Sequence, residues 1–167
     1  MHPNQATVEA FYHAFAALDA ETMAACYATD ARFQDAVFTL EGKHEVAAMW
    51  RMLCRGVRAG ARQDWKLDYN VLRADGRHVG AHWVVRYHFG ATGHMVHNRV
   101  DASFVFDRTG RIAQHHDVFD FWRWSRQALG TPGLLLGWSP LLRQKVRANA
   151  RRKLDTFLAE QANAVAA

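Results

Sequence analysis

From Trp65 to Phe106 the chain alternates apolar and polar side chains almost without a break. Trp65, Leu67, Tyr69 and Val71 alternate with Lys66, Asp68 and Asn70, and Val79, Ala81, Trp83, Val85, Tyr87 and Phe89 alternate with Gly80, His82, Val84, Arg86 and His88. Val96, Asn98, Val100, Ala102, Phe104 and Phe106 sit opposite His97, Arg99, Asp101 and Ser103. Successive side chains leave a strand on opposite faces, so this period of two specifies strands with one buried and one solvated side. Asp75-Gly76, Thr92-Gly93 and Asp107-Arg108-Thr109-Gly110 punctuate the runs as turns, and Arg111 to about Phe119 supplies one more strand. The pattern predicts an antiparallel meander over residues 64–119 with Trp65, Tyr69, Trp83, Tyr87, Asn98 and Phe104 on its concave side. A slip of one residue would exchange every one of them for His82, Arg86 or Arg99.

A sheet that is apolar on one face needs a cover. Val8, Phe11, Phe15 and Leu18 recur at helical spacing and predict a first helix over about residues 4–18. Asp19 is placed to cap a second, Ala20 to Ala28, with Met23 and Tyr27 inward. Arg32 to Phe38 reads as an extended segment. Val46, Met49, Trp50, Leu53 and Val57 then define a third helix ending at Gly60. After Phe119 the chain turns helical again as far as Gly130; Thr131-Pro132-Gly133 breaks the pattern, and Ser139-Pro140 opens a last helix over about 140–161. The fold class is α+β, with a domain over residues 1–130 and a helical extension over 131–167 packed on it. A chain of 167 residues, half of them apolar, can bury a core of that size.

Charge is uneven along the chain. Residues 1–120 carry 13 Lys and Arg against 14 Asp and Glu, whereas residues 121–167 carry 8 against 2. The basic tail is read as a helix docked on its own domain or its dimer mate with a solvated rim. Contact with an anionic membrane surface is the lesser alternative. No apolar run is long enough to span a membrane and no leader pattern opens the chain, so a cytoplasmic location is expected. Cys26 and Cys54 have no framework spacing and are expected as free thiols. No nucleic-acid motif occurs. The histidines His82, His88, His97 and His116 fall with Arg86, Arg99 and Asp101 on the outer face of the meander, where a homodimer contact is expected rather than a metal site; no metal-ligand spacing is present. No glycine-rich phosphate loop is present either, and no cofactor is expected.

The opening helices, the segment Asp30-Ala31-Arg32-Phe33-Gln34-Asp35 and the closing segment Gly110-Arg111-Ile112-Ala113-Gln114-His115-His116-Asp117-Val118-Phe119-Asp120 together resemble the SnoaL-like branch of the nuclear-transport-factor-2-like superfamily. That resemblance, over roughly residues 5–130, implies a cone-shaped sheet around an apolar pocket. It places the general base of ketosteroid isomerases on Asp35, and the acid/base of the cyclases and epoxide hydrolases on Asp117. It also implies departures. The isomerases' oxyanion tyrosine and aspartate fall on Ala14 and Ala102, the cyclases' histidine also falls on Ala102, and the hydrolases' Arg-x-Asp pair falls on Trp83 and Val85.

Read from the residues themselves, Asp117 shares a face with Ala113, His115 and Phe119. A carboxylate among apolar walls has its pKa raised by desolvation, as an acid/base near neutrality requires. Asp35 is the second acid and His115 the group placed to orient or exchange a proton with Asp117. Asn98, a lone amide between Val96 and Val100, is a candidate for a ligand carbonyl. Tyr12, Trp50, Trp65, Tyr69, Trp83, Tyr87 and Phe104 are read as walls for a hydrophobic small molecule. Three functions stay open: cofactor-free proton transfer on a hydrophobic carbonyl compound, of isomerase or polyketide-cyclase type; non-catalytic binding of a lipid-like or aromatic molecule; and epoxide hydrolysis.

Overall fold

The helical stripe Val8, Phe11, Phe15 is the first layer laid across the sheet. In the computed structural model, which describes residues 2–166, it belongs to α1 (Pro3–Ala16), with proline in its first turn and the His2 side chain accepting from the Asn4 N–H. Leu18, at φ 60, turns the chain back toward α2 (Ala20–Ala25), where both Asp19 carboxylate oxygens accept from Thr22. Gly42, at φ 85, leads into α3 (Lys43–Ala59), which buries Val46, Met49, Trp50 and Cys54.

Six strands make one curved, unclosed sheet: β1 (Tyr27–Gln34), β2 (Thr39–Glu41), β3 (Lys66–Val71), β4 (His78–His88), β5 (Met95–Phe106) and β6 (Ile112–Val118), in the order β2-β1-β6-β5-β4-β3. The meander β3 to β6 is antiparallel with the expected register. Its inner face is a series of cross-strand rows: Val79, Phe104 and His115; Val71, Ala81, Ala102 and Asp117; Tyr69, Trp83 and Val100; Leu67, Val85 and Asn98; Tyr87 and Val96. His82, Arg86 and Arg99 lie exposed on the outer face, where the His82 imidazole pairs with Asp101.

Four local readings need correction. The second helix stops at Ala25, and Tyr27 begins a strand, because β1 pairs in parallel with β6 from Tyr27↔Ile112 and the Ile112 N–H bonds the Cys26 carbonyl. The segment 32–38, read as a short strand or extended segment, is strand only through Gln34, the end of β1, and then turns at Asp35 toward β2. Ala113 leaves the inner face, since a bulge sets Val105 against Gln114 but Phe106 against Ile112, and Ile112 takes the buried place. Thr131-Pro132-Gly133 does not break the helical pattern; it opens a short helix of its own, with proline in the first turn, where its missing N–H costs nothing.

The tail consists of α4 (Phe121–Leu129), α5 (Thr131–Leu136) and α6 (Pro140–Ala166). Beyond the end of β6 the edge of β5 is bare, and α4 blunts it: Gln127 Oε1 accepts from the His97 N–H at 2.8 Å and its Nε2 donates to the His97 carbonyl at 3.2 Å, as a neighbouring strand would. The inner side of α4 forms a second apolar cluster, Phe121, Trp124 and Ala128 with Val96, against which Ala36, Val37, Tyr87 and Phe119 pack. The end of the sheet nearest Asp35 is covered in this way. Farther along, α6 drops Leu154 and Phe157 into the main core.

Glycine is mandatory where α4 and α5 meet. A Cβ on Gly133 would come within 1.9 Å of the Ser125 carbonyl oxygen, which is backbone and cannot give way. Gly133→Ala should therefore undock α5 from α4 at a cost of about 1–3 kcal/mol or more, read as a lower unfolding midpoint and faster amide exchange over residues 121–137. An unchanged midpoint would contradict this packing.

Candidate functional site

The row Val71, Ala81, Ala102, Asp117 contains the smallest side chains of the inner face, and it ends on a charged one. Asp117 is 4% exposed and His115, two residues before it on the same face of β6, is 2% exposed. Burying a carboxylate is costly unless it is hydrogen-bonded. The compensation runs through a chain of four side chains. His115 Nε2 lies 3.0 Å from Asp117 Oδ1, His115 Nδ1 lies 2.6 Å from the Tyr27 hydroxyl, and Trp50 Nε1 donates to that hydroxyl at 3.1 Å.

The direction of this chain follows from its far end. An indole N–H only donates, so Tyr27 accepts from Trp50. Tyr27 stays a phenol: burial pushes its pKa well above the ordinary value and the Asp117 charge adds to this, with the Trp50 bond opposing. Its proton goes to His115 Nδ1. The imidazole is then the neutral Nε2–H tautomer and donates to Asp117 Oδ1, which satisfies every donor. Asp117 Oδ2 has no hydrogen-bond partner among the described residues. Phe104, at 4.2 Å between ring centroids, together with Phe11, Phe33 and Trp50 walls the imidazole in.

Asp35 stands just past β1. The parallel register Phe33↔His115, Gln34↔His116, continued one step, sets Asp35 against Asp117. Its Oδ1 accepts from the N–H groups of Phe38 at 2.6 Å and Val37 at 2.7 Å, which fixes the turn. Burial pushes its pKa up to about 6; the two N–H groups oppose the rise and the Asp117 charge adds to it. Two acids thus share one region, and the Asp117 charge helps hold the Asp35 carboxyl above its ordinary range.

Among the described residues two buried side-chain polar atoms have no hydrogen-bond partner: the Tyr12 hydroxyl and Trp83 Nε1. Tyr12, on α1, stacks on Tyr69 at 5.2 Å and lies 6.2 Å from the Trp83 ring, over the rows beside Asp117. Burial raises its pKa well above the ordinary value, and the Asp117 charge raises it further. An orphaned buried donor costs about 1–3 kcal/mol, and each of these two keeps a proton free to donate. The Asn98 amide, one row beyond Trp83 and buried, also takes no side-chain hydrogen bond among the described residues.

The other expected residues divide. Trp50 both stacks on the imidazole and donates to the Tyr27 hydroxyl, and Phe104 is the floor of the imidazole. Tyr87 accepts from Trp124 Nε1 at 2.9 Å and belongs to the cover. Trp65 sits at the far edge of the sheet, where its Nε1 holds the Ala16 carbonyl at 2.9 Å and pins the end of α1. Tyr27 was hidden from sequence reading because a shift in register between Tyr27 and Arg32 breaks the alternation that would mark its strand. Among the described residues no three His, Cys, Asp or Glu converge as a metal would need. Surface clefts at Arg51, Cys54 and Phe157 and at His13 and Tyr69 are not lined by Asp35, His115 or Asp117.

The model of the SnoaL-like domain matches residues 8–115. Among solved structures, a candidate polyketide cyclase from Xanthomonas campestris pv. campestris superposes with a TM-score of 0.60 at 22% identity, over 75% of this chain and 96% of that one. A limonene-epoxide-hydrolase-like epoxide hydrolase of Mycobacterium tuberculosis gives 0.56 at 24% identity, over 84% and 95%. A de novo designed protein with a curved β-sheet gives 0.54 at 20% identity, over 71% and 85%, so the architecture by itself carries no activity. No curated protein matches the chain. The helices, the curved sheet and a family match over residues 8–115 agree: the chain belongs to the SnoaL-like family.

Proposed function

We propose that the chain is an enzyme that moves a proton on a hydrophobic carbonyl compound without a cofactor, in the manner of an isomerase or an aldol-type cyclase. The observation that carries this reading is the buried Asp117 carboxylate, with one oxygen held by the His115 relay and the other without a hydrogen-bond partner among the described residues. Asp117 Oδ2 takes the proton from the carbon next to the carbonyl. The electron pair left behind moves onto the carbonyl oxygen, where the Tyr12 O–H and Trp83 N–H donate to the developing charge. Asp35, with a pKa of about 6, returns a proton to the new carbon in an isomerisation or to the aldolate oxygen in a cyclisation. Tyr27 and Trp50 act as positioning residues that hold the His115 tautomer. The general base supplies ~10²–10⁴-fold, and an oxyanion donor about 10²–10³-fold.

The superposed candidate polyketide cyclase supports a reaction of this kind. Epoxide hydrolysis is the weaker reading, because Trp83 and Val85 occupy the inner-face positions where the resemblance would put an arginine and an aspartate.

Exchange of the α-protons of a bicyclic aryl ketone such as 2-tetralone in D2O, followed by NMR, tests the chemistry without knowledge of the natural substrate. The protein should accelerate exchange, and Asp117→Asn should lower kcat by ~10²–10⁴-fold with KM little changed. Tyr27→Phe, which frees the His115 tautomer, should lower kcat with KM little changed. Binding of the ketone with no acceleration would leave the non-catalytic reading in its place.

Asp35 should also betray its cost. Protonated Asp35 is favoured in the folded state, so its contribution to stability is fully present below the ordinary carboxyl pKa of ~3.9 and is lost as pH rises through about 6. Asp35→Asn keeps the acceptor of the turn and removes the ionisable group. It should be more stable than the parent by about 2–3 kcal/mol at pH 8 and equal to it near pH 4, by denaturant unfolding at both values. A variant less stable at pH 8 would show that the carboxylate is there for the turn alone.

A further inference from the structure

The basic extension does not dock along its whole length. Leu154 and Phe157 are buried, but Leu134, Leu135 and Leu136 of α5, Trp138 after it and Leu141 in the first turn of α6 are exposed by 53, 62, 52, 71 and 77%. Trp122, on the outer side of α4, continues the patch at 43%. The patch is held in shape. Trp122 Nε1 donates to the Leu134 carbonyl at 3.3 Å, Trp138 Nε1 to the Leu135 carbonyl at 2.9 Å, and the close contact at Gly133 locks α5 on α4.

Its surroundings carry one sign of charge. From Phe121 to Leu154 the chain holds eight Arg and Lys and no Asp or Glu. Of these eight, only Arg151 is ion-paired among the described residues, with Glu45 and Asp155. Arg126 lies over the Trp122 ring at 4.7 Å and Arg143 over the Phe121 ring at 4.9 Å, which places cations at the border of the patch. Exposed leucines with tryptophans at their rim and free cations around them match a bilayer interface, where apolar side chains enter the acyl boundary and cations meet anionic headgroups. A second copy laid on this patch about a two-fold axis would set the two rings of cations against each other.

We propose that α5, with Trp122 of α4 and the first turn of α6, is an interfacial anchor that docks the protein on anionic lipid bilayers. No helix is long and apolar enough to cross a membrane among the described residues, so the contact lies in the plane of the interface. This inference stands apart from the proton-transfer reading, since none of its residues belongs to that chemistry.

The full-length protein should float with vesicles of phosphatidylcholine containing about 30% phosphatidylglycerol, bind pure phosphatidylcholine vesicles weakly, and release from the anionic ones at about 0.5 M salt. Exposed positions tolerate substitution, so Leu135→Ser combined with Leu141→Ser should lower the partition coefficient about tenfold or more at an unchanged unfolding midpoint. Lys145→Glu, which keeps the apolar residues, should weaken binding to the anionic vesicles alone. Equal partition of the parent and the Leu135→Ser/Leu141→Ser protein would overturn the proposal. So would a vesicle-free dimer that the same pair of substitutions dissociates, because the patch would then belong to a second copy of the chain.

Discussion

A carboxylate without water needs something to hold its charge, and much of the interior of this domain follows from that requirement. Asp117 lies at the end of an inner-face row, and the groups that keep it tolerable come from three separate elements: His115 from its own strand, Tyr27 from β1 and Trp50 from α3. Each link fixes the next. A tryptophan that can only donate sets the phenol, the phenol sets the imidazole tautomer, and the imidazole presents its proton to one carboxylate oxygen. A low local dielectric strengthens such a chain when it is complete and makes a broken link expensive. The aromatic packing around His115 serves the chain as well, by excluding the water that would otherwise compete for it.

Legibility from sequence depended on periodicity. Trp83, Tyr87, Asn98, Phe104, His115 and Asp117 lie inward as the alternation required, because long antiparallel strands with one wet face leave no freedom of register. What could not be read are the places where the pattern changes period. Tyr27 follows a helix and precedes an irregular pairing, so nothing local marked it as a strand residue. Ala113 falls on a bulge. Trp50 was correctly buried but its role was invisible, since an indole in a wall and an indole in a relay leave the same apolar signature. The orphaned Tyr12 and Trp83 atoms are likewise a property of the assembled interior and not of any segment.

The resemblance assigned the histidine partner of the cyclases to position 102, where this chain has alanine. The structure sets Ala102 directly across from Asp117, and it brings an imidazole to the acid from His115 on the same strand. The family match stops at residue 115, so Asp117 and the whole tail lie outside it. One helix of that tail, α4, has two faces with separate employments: Trp124 on the inside closes the end of the sheet against Tyr87, and Trp122 on the outside belongs to the apolar patch.

Among the described residues the pairing of β1 with β6 is the one parallel contact in the sheet, and it joins segments about half the chain apart. Asp35 and Asp117 meet through that contact, as do Tyr27 and His115. The meander can zip from its local turns, but closing this pair has to bring two distant segments together before any contact rewards the loss of chain entropy. The relay and the second acid therefore rest on the strand pairing of greatest sequence separation in the sheet, the one whose closure costs the most chain entropy.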